Sequence, residues 1–262
     1  MAGPIRFCVD GQVLEPGEAF LPLPDDGLLR GDGVFEVLRL YGGRPFALDL
    51  HLDRMARSAG AIELPLQRSA LEGDVERLIE TLEQPDSLLR LVQTRAGRRI
   101  VTIEPLPVHS PAVTLATVTY SPTVVLNGVK SLSYAANMQV TRIAKAAGAE
   151  EALFVRPDGI VLEAPTSSIF WVTAGGDLRT PSLEAGALDS ITRRKIVERI
   201  EVEEGEFSLD DLLAAQAAFL ASTTREEQPV SSIDAKNLPS APGDLTLKAR
   251  QAFDAALAEA LA

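Results

Sequence analysis

Three prolines in seven residues, Pro105, Pro107 and Pro111, interrupt this chain of 262 residues. Each fixes its own φ and lacks an amide donor, so neither a helix nor an inner strand runs through Pro-Leu-Pro-Val-His-Ser-Pro. The segment is a stiff connector over 105–111. Whatever core the chain builds must form separately on either side. We therefore expect a small α+β domain over 1–104 and a larger mixed α/β domain over 112–262.

The first stretch alternates strand and helix signals. Residues 6–10 and Val13 form a hairpin around Asp10-Gly11, and residues 34–41 turn at Gly42-Gly43 into 44–47. Leu52, Met55, Ala59 and Ile62 recur at spacings of 3, 4 and 3, the buried stripe of a helix that Asp49 caps and that runs to about Ala59. Arg54 lies off that stripe, free to reach an anion or face water. Leu71, Val75, Leu78 and Leu82 repeat the pattern in a helix ended by Pro85. Strands over 88–95 and 100–104 pair around Gly97.

Beyond the connector, 112–120 is a strand. Ala136, Val140, Ile143, Ala144 and Ala147 mark a helix closed by Gly148. Residues 154–162 turn about Pro157-Asp158-Gly159, and 168–172 and 217–222 are strands. Helices are expected at about 191–201, 209–216 and 244–261. No internal repeat or low-complexity segment is present.

Composition removes several classes of function. The apolar fraction of 46% is enough for a packed core, while a net charge of −12 disfavours nucleic acid and anionic membranes as partners. One cysteine, Cys8, and two histidines, His51 and His109, leave no disulfide framework and no expected metal site. No apolar run approaches membrane-spanning length and the N-terminus lacks a signal-peptide pattern, so a soluble, cytoplasmic protein is expected. There is no GxGxxG, no P-loop and no Gly-x-Ser-x-Gly elbow.

Four segments carry chemistry. Lys130, in Gly-Val-Lys-Ser-Leu-Ser-Tyr, has Val129 and Leu132 close by, and desolvation favours the neutral, nucleophilic amine. Alone it is one more lysine, like Lys145, Lys195 and Lys248 on their charged or Ala-rich helices. Glu163 ends an apolar run; it is either a solvated edge charge or a partner that keeps a ring nitrogen protonated. Asp189-Ser190-Ile191-Thr192 opens a helix, where free amides and the positive dipole end suit a phosphate as well as a cap. Ser222, Thr223 and Thr224 cluster hydroxyls in a loop.

Taken together, these segments resemble the class IV aminotransferases, the fold-type IV pyridoxal-phosphate enzymes, over about 27–233. Gly-Asp-Gly-Val-Phe-Glu (31–36) is similar to the family's Gly-Asp-Gly-Val-[Phe/Tyr]-Glu, and His51-Leu-Asp-Arg54 to its His-x-x-Arg helix. The resemblance implies a two-domain fold with the cofactor between the domains. It makes Lys130 the Schiff-base lysine, Glu163 the pyridine-nitrogen partner and Leu188 a residue packed on the ring. Arg54, Ile191, Thr192, Ser222 and Thr223 are then the phosphate ligands. The sequence departs from the family pattern at Ser133, Ala164, Ser168 and Ser190, and is short between Arg95 and Lys130.

Within the family, Lys-Ser-Leu-Ser (130–133) and Ser-Thr-Thr-Arg-Glu (222–226) resemble the D-amino-acid aminotransferases. The implied reaction moves an amino group from a D-amino acid to a 2-oxo acid such as 2-oxoglutarate. Branched-chain L-amino acids, and the pyruvate-releasing aminodeoxychorismate lyases, are the alternatives, followed by a non-catalytic cofactor-binding protein. By family position, Arg30 and Arg90 orient the substrate carboxylate, with Phe35 and Thr224 on the substrate side and Arg98 and Arg99 as weaker candidates. A buried guanidinium requires such an anionic partner. The resemblance also implies a homodimer whose active sites lie at the interface and borrow residues, Arg30 among them, from the second subunit.

Overall fold

The computed structural model describes residues 5–261 and divides into two compact units. The first contains the chain up to Val108, together with Val129–Tyr134 and Leu261, and the second holds the remainder. The segment carrying Lys130 therefore belongs with the N-terminal half, although it follows the proline connector.

The first unit is an antiparallel six-stranded sheet. Its strands are β1 (Arg6–Val9), β2 (Gln12–Leu14), β3 (Gly33–Tyr41), β4 (Arg44–Pro45), β5 (Ser87–Thr94) and β6 (Arg99–Glu104), in the order β2-β1-β6-β5-β3-β4. Helix α1 (Asp26–Arg30) precedes β3, and α2 (Leu48–Ala61) and α3 (Arg68–Ile79) follow β4. The period of two along each strand divides its side chains between two faces. Val34, Leu38, Leu40, Leu89, Leu91, Val101 and Ile103 join Leu52, Met55, Leu71, Val75 and Leu78 from the helices in one core. Phe35 and Arg90 fall on the other face. Asp49 does not cap α2: the cap is Ala47, in the left-handed region at φ 54°, and Asp49 lies in the first turn. An acidic side chain there still favours the helix through its dipole.

The second unit is a mixed eight-stranded sheet. Strands β7 (Val113–Thr119), β8 (Glu151–Val155), β9 (Ser168–Val172), β10 (Leu178–Pro181), β11 (Glu203–Gly205), β12 (Ala217–Ser222) and β13 (Glu226–Ile233) run in the order β11-β10-β9-β12-β13-β7-β8, and β14 (Lys236–Asn237) pairs with β13. Its helices are α4 (Ala135–Ala146), α5 (Ile191–Val197), α6 (Leu209–Leu213) and α7 (Asp244–Leu261). Helices α5 and α6 end sooner than the sequence pattern suggests. Strand β13 was missed because Glu-Glu-Gln-Pro-Val-Ser-Ser-Ile lacks apolar alternation, yet it is an inner strand between β12 and β7.

Two faces of this sheet are distinguishable. On one, Ile169, Trp171, Ala218 and Leu220 join Leu212 of α6, and the Trp171 indole N–H donates to Asp211 at 2.8 Å. On the other, Phe170 and Phe219 stack at 4.9 Å, with Ser168 and Ala221 paired one step along the same strands.

Candidate active site

In the first unit, Lys130 is held by its backbone. The Phe35 amide donates to the Lys130 carbonyl at 3.1 Å, the Leu132 amide donates to Gly33 at 2.9 Å, and Val34 and Ser131 form an antiparallel bridge. The Lys130 amide donates to the Ser58 hydroxyl of α2 at 3.1 Å. The segment thus runs antiparallel beside the start of β3, on the side away from β5. Its Nζ stands 4.4 Å from the Phe35 ring centroid and 5.8 Å from that of Tyr134, and the two rings meet edge to face at 5.2 Å. Aromatic faces stabilise a cationic nitrogen and shield it from water.

Arg54 does not face water. It is 5% exposed and grips Glu36 through Nε at 2.7 Å and Nη2 at 2.6 Å, while His51 Nδ1 lies 2.8 Å from the same carboxylate. Glu36 occupies an inward position of β3, in step with Val34 and Leu38, so it is fully buried. Burial alone would raise its pKa. The Arg54 charge and the hydrogen bonds from Arg54 and His51 prevail and hold it at about 2. Burial pushes the His51 pKa down, Glu36 opposes this, and the charges of Arg54 and Lys130 add to the lowering. Lys130 thus acts electrostatically on this buried cluster.

The two candidate substrate arginines already have partners. Arg90 clasps Glu104 through Nε at 2.6 Å and Nη2 at 3.0 Å, and its guanidinium lies 5.7 Å from the Phe35 ring centroid. Arg30 is exposed and ion-paired with Asp26, one turn earlier in α1. Arg98 pairs with Asp10 at 2.5 Å, and Arg99 with buried Asp74 at 2.9 Å. Of these, only Arg90 shares the ring of Phe35 with Lys130.

In the second unit, Glu163 is half-buried, and its carbonyl accepts from the Phe154 amide at 2.9 Å. The chain then turns back on itself, with Ala164 bridged to Ser167, and enters β9 at Ser168. Leu188 is half-buried. Ser190 caps α5, its hydroxyl accepting from the Arg193 amide at 3.4 Å, and Ile191 and Thr192 are each 2% exposed. The Ser222 hydroxyl accepts from the Arg225 amide at 3.4 Å, so it closes the turn that presents half-buried Thr223 and Thr224. Arg225 in turn pairs with Glu151 at 2.9 Å and anchors that loop to β8.

The sequence motifs contain Glu36, His51, Tyr134 and Ser168 but give none of them a role, and nothing in the sequence pattern singles out Ser58 or the buried Ser167. A signal for Glu36 was present: a carboxylate at an inward strand position needs a cation, and the next helix offers His51 and Arg54 three residues apart.

The model of the family described as amino-transferase class IV matches residues 33–233. The D-alanine aminotransferase of Bacillus licheniformis is 31% identical, covering 95% of this chain and 96% of that one. The aminodeoxychorismate lyase of Bacillus subtilis is 30% identical, covering 91% and 90%. Among solved structures, a hypothetical aminotransferase from Mycobacterium tuberculosis in its PLP-bound form superposes with a TM-score of 0.87 at 27% identity, covering 97% of this chain and 99% of that one. The chain belongs to the class IV aminotransferases, and its two sheets carry the fold-type IV architecture. It is an enzyme of the pyridoxal-phosphate-dependent class.

The residues present fit that cofactor. A lysine amine over aromatic rings suits an aldehyde carbon, a carboxylate suits a pyridine nitrogen, and a capped helix start with adjacent hydroxyls suits a phosphate. The hydroxyls of Ser167 and Ser168 are buried with no hydrogen-bond partner among the described residues. Buried polar atoms rarely stay so without a ligand or water to meet them. Among the described residues no group of His, Cys, Asp and Glu gathers to hold a metal ion, and no helix is long and apolar enough to cross a membrane.

Proposed function

We propose that the protein is a transaminase that takes the amino group of a D-amino acid and gives it to a 2-oxo acid such as 2-oxoglutarate. The observation carrying this reading is the setting of Lys130, pinned by its backbone to β3 and α2 with its amine over Phe35. A lysine whose backbone is held in this way keeps its amine within reach of one place through both halves of a transfer cycle.

Bound pyridoxal phosphate supplies an electron sink for the charge that develops at the substrate Cα. Lys130 would hold the cofactor through its amine and would serve as the base that moves the proton between the substrate Cα and the cofactor C4′. Glu163 keeps the pyridine nitrogen protonated by a charge-assisted hydrogen bond. Leu188 would pack on the ring. Arg54, Ile191, Thr192, Ser222 and Thr223 would hold the phosphate, with Glu36 fixing the guanidinium of Arg54 and His51 bonded to the same carboxylate. Arg90, Phe35 and Thr224 line the substrate side. Arg30 serves the active site of the second subunit in a homodimer.

The D-preference rests on the Lys-Ser-Leu-Ser and Ser-Thr-Thr-Arg-Glu segments and on the Bacillus licheniformis relative. It is tested by an amino-donor panel with 2-oxoglutarate, offering alanine, glutamate and leucine in both configurations. Turnover of L-leucine alone overturns it in favour of the branched-chain reading. A lyase is the second reading, favoured by the Bacillus subtilis relative. Pyruvate release from aminodeoxychorismate without an amino acceptor establishes that reading instead. Light scattering on the eluting protein tests the dimer.

A further inference from the structure

Ser168 opens β9, is 2% exposed, and has a buried hydroxyl that meets no hydrogen-bond partner among the described residues. An unpaired hydroxyl in an apolar interior is costly, so a group that pairs with it is favoured at that place. The surroundings narrow what that group is.

Strand register fixes the face. Ser168 is opposite Ala221 and in step with Phe170 and Phe219, the side away from Trp171. Helix α6 takes the Trp171 side, since Asp211 accepts from Trp171 and also pairs with Arg179 at 2.7 Å. Helix α5 also packs on β12, and its buried Ile191 and Ile196 take no part in the Trp171-side core, so it covers the Phe170–Phe219 side.

Register also fixes the end. Leu178 pairs with Val172 and Arg179 with Trp171 in antiparallel fashion, which brings Pro181 level with Ile169, next to Ser168. Arg193, in the first turn of α5, donates through Nη2 to the Pro181 carbonyl at 2.9 Å. The first turn of α5 therefore lies at the Ser168 end of the sheet. On the other neighbour of β9, Ala221 leads directly into Ser222 and Thr223. Ser168 and the start of α5 share one face and one end of the sheet, and the hydroxyl loop leaves β12 at that same end.

We propose that Ser168 is a further phosphate ligand of the cofactor, donating its hydroxyl to an anionic phosphate oxygen beside Thr192 and Thr223. The inference rests on the reading of α5 and the 222–224 loop as the phosphate site. It assigns a binding role to a position where the sequence departs from the family pattern. Ser167 is the internal contrast: its hydroxyl is also buried without a partner among the described residues, but it precedes β9, and the alternation of an extended chain assigns it to the opposite face from Ser168.

The test titrates apoenzyme with pyridoxal phosphate and, separately, with pyridoxal, following the visible absorption band, for wild type, Ser168→Ala and Ser167→Ala. A hydrogen bond to a charged oxygen predicts that Ser168→Ala weakens pyridoxal phosphate binding by about tenfold or more and leaves pyridoxal binding unchanged. The melting temperature of the apoenzyme is expected not to fall, because the substitution removes an unpaired group. Equal loss for both ligands, no loss for either, or a lower apoenzyme melting temperature without phosphate selectivity overturns the proposal. The cofactor reading is judged apart, with Lys130→Ala and Glu163→Gln. If neither alters the absorption band, that reading fails; if both do while Ser168→Ala is silent, only the present inference fails.

Discussion

Glu36 and Arg54 form a two-point ion pair inside the first unit, with side chains 0% and 6% exposed. Such a pair stabilises little relative to apolar packing, but removing one partner strands a buried charge. Glu36→Gln is therefore expected to destabilise the apoenzyme by about 3 kcal/mol at neutral pH, measured by urea denaturation. The pH dependence has a definite sign. The folded pKa of about 2 lies below the ordinary 4.5, so this stabilisation is present above pH 4.5 and is lost as pH falls toward 2. The gap between wild type and variant must narrow over that window. A gap independent of pH would remove the ionised carboxylate from the account.

Gly33 explains why a strand beginning Gly-Val-Phe-Glu can accept Lys130 as its neighbour. A Cβ built there meets the Gln93 carbonyl oxygen at 2.6 Å and Leu132 Cδ1 at 2.7 Å. One contact is backbone of β5, the other a side chain of the Lys130 segment. Gly33→Ala is expected to push that segment off β3 and cost about 1–3 kcal/mol, with loss of the visible band on adding pyridoxal phosphate. Gly60→Ala, in α2 with nothing within 4 Å, is the control and should be neutral or stabilising by up to about 1 kcal/mol. A Gly33→Ala protein with a normal band would show that the close approach is dispensable.

Much of the fold was legible because burial has a period. The stripe Leu52, Met55, Ala59 announced α2, and β9 and β12 appeared at the expected residues since every position in them is buried. Strand β13 was hidden because its inner face is built from Gln228 and Ser232 as well as Val230, and a polar side chain leaves no apolar period. The candidate site was partly legible for a related reason. Lys130, Glu163 and the 190–192 segment are set by short-range motifs, whereas the Glu36 and Glu104 partners of Arg54 and Arg90 depend on strand register across tens of residues. No local pattern encodes that pairing.

The proposed substrate role of Arg90 draws on this register. The residue lies on the face of β5 shared with Phe35, where Lys130 also stands, and Glu104 holds its fork in one orientation. Arg90→Gln is expected to raise KM for the amino acid by about tenfold or more with little change in kcat, the mark of lost ground-state binding. Glu104→Gln, which leaves the guanidinium in place, should shift KM less. Steady-state kinetics across donor concentrations decide it. Equal effects of the two substitutions on melting temperature, with KM untouched, would reduce the pair to a structural tie.

Glu227 is buried in β13 with Oε1 lacking a hydrogen-bond partner among the described residues, and it faces Arg250 and Asp254 of α7. Burial raises its pKa to about 7; Arg250 opposes the rise and Asp254 adds to it. Because the folded value lies above the ordinary 4.5, the native state prefers the protonated form. Its contribution is fully present below pH 4.5 and is lost as pH rises through 7. Glu227→Gln keeps the shape of the neutral acid and cannot ionise. The variant should match wild type near pH 5 and exceed it above pH 7, by about 2 kcal/mol, or roughly 5 °C in melting temperature. Thermal melts of the apoenzyme from pH 5 to pH 9 measure this. A wild type that loses nothing relative to the variant across that range would mean that the carboxylate finds a partner or water when it ionises.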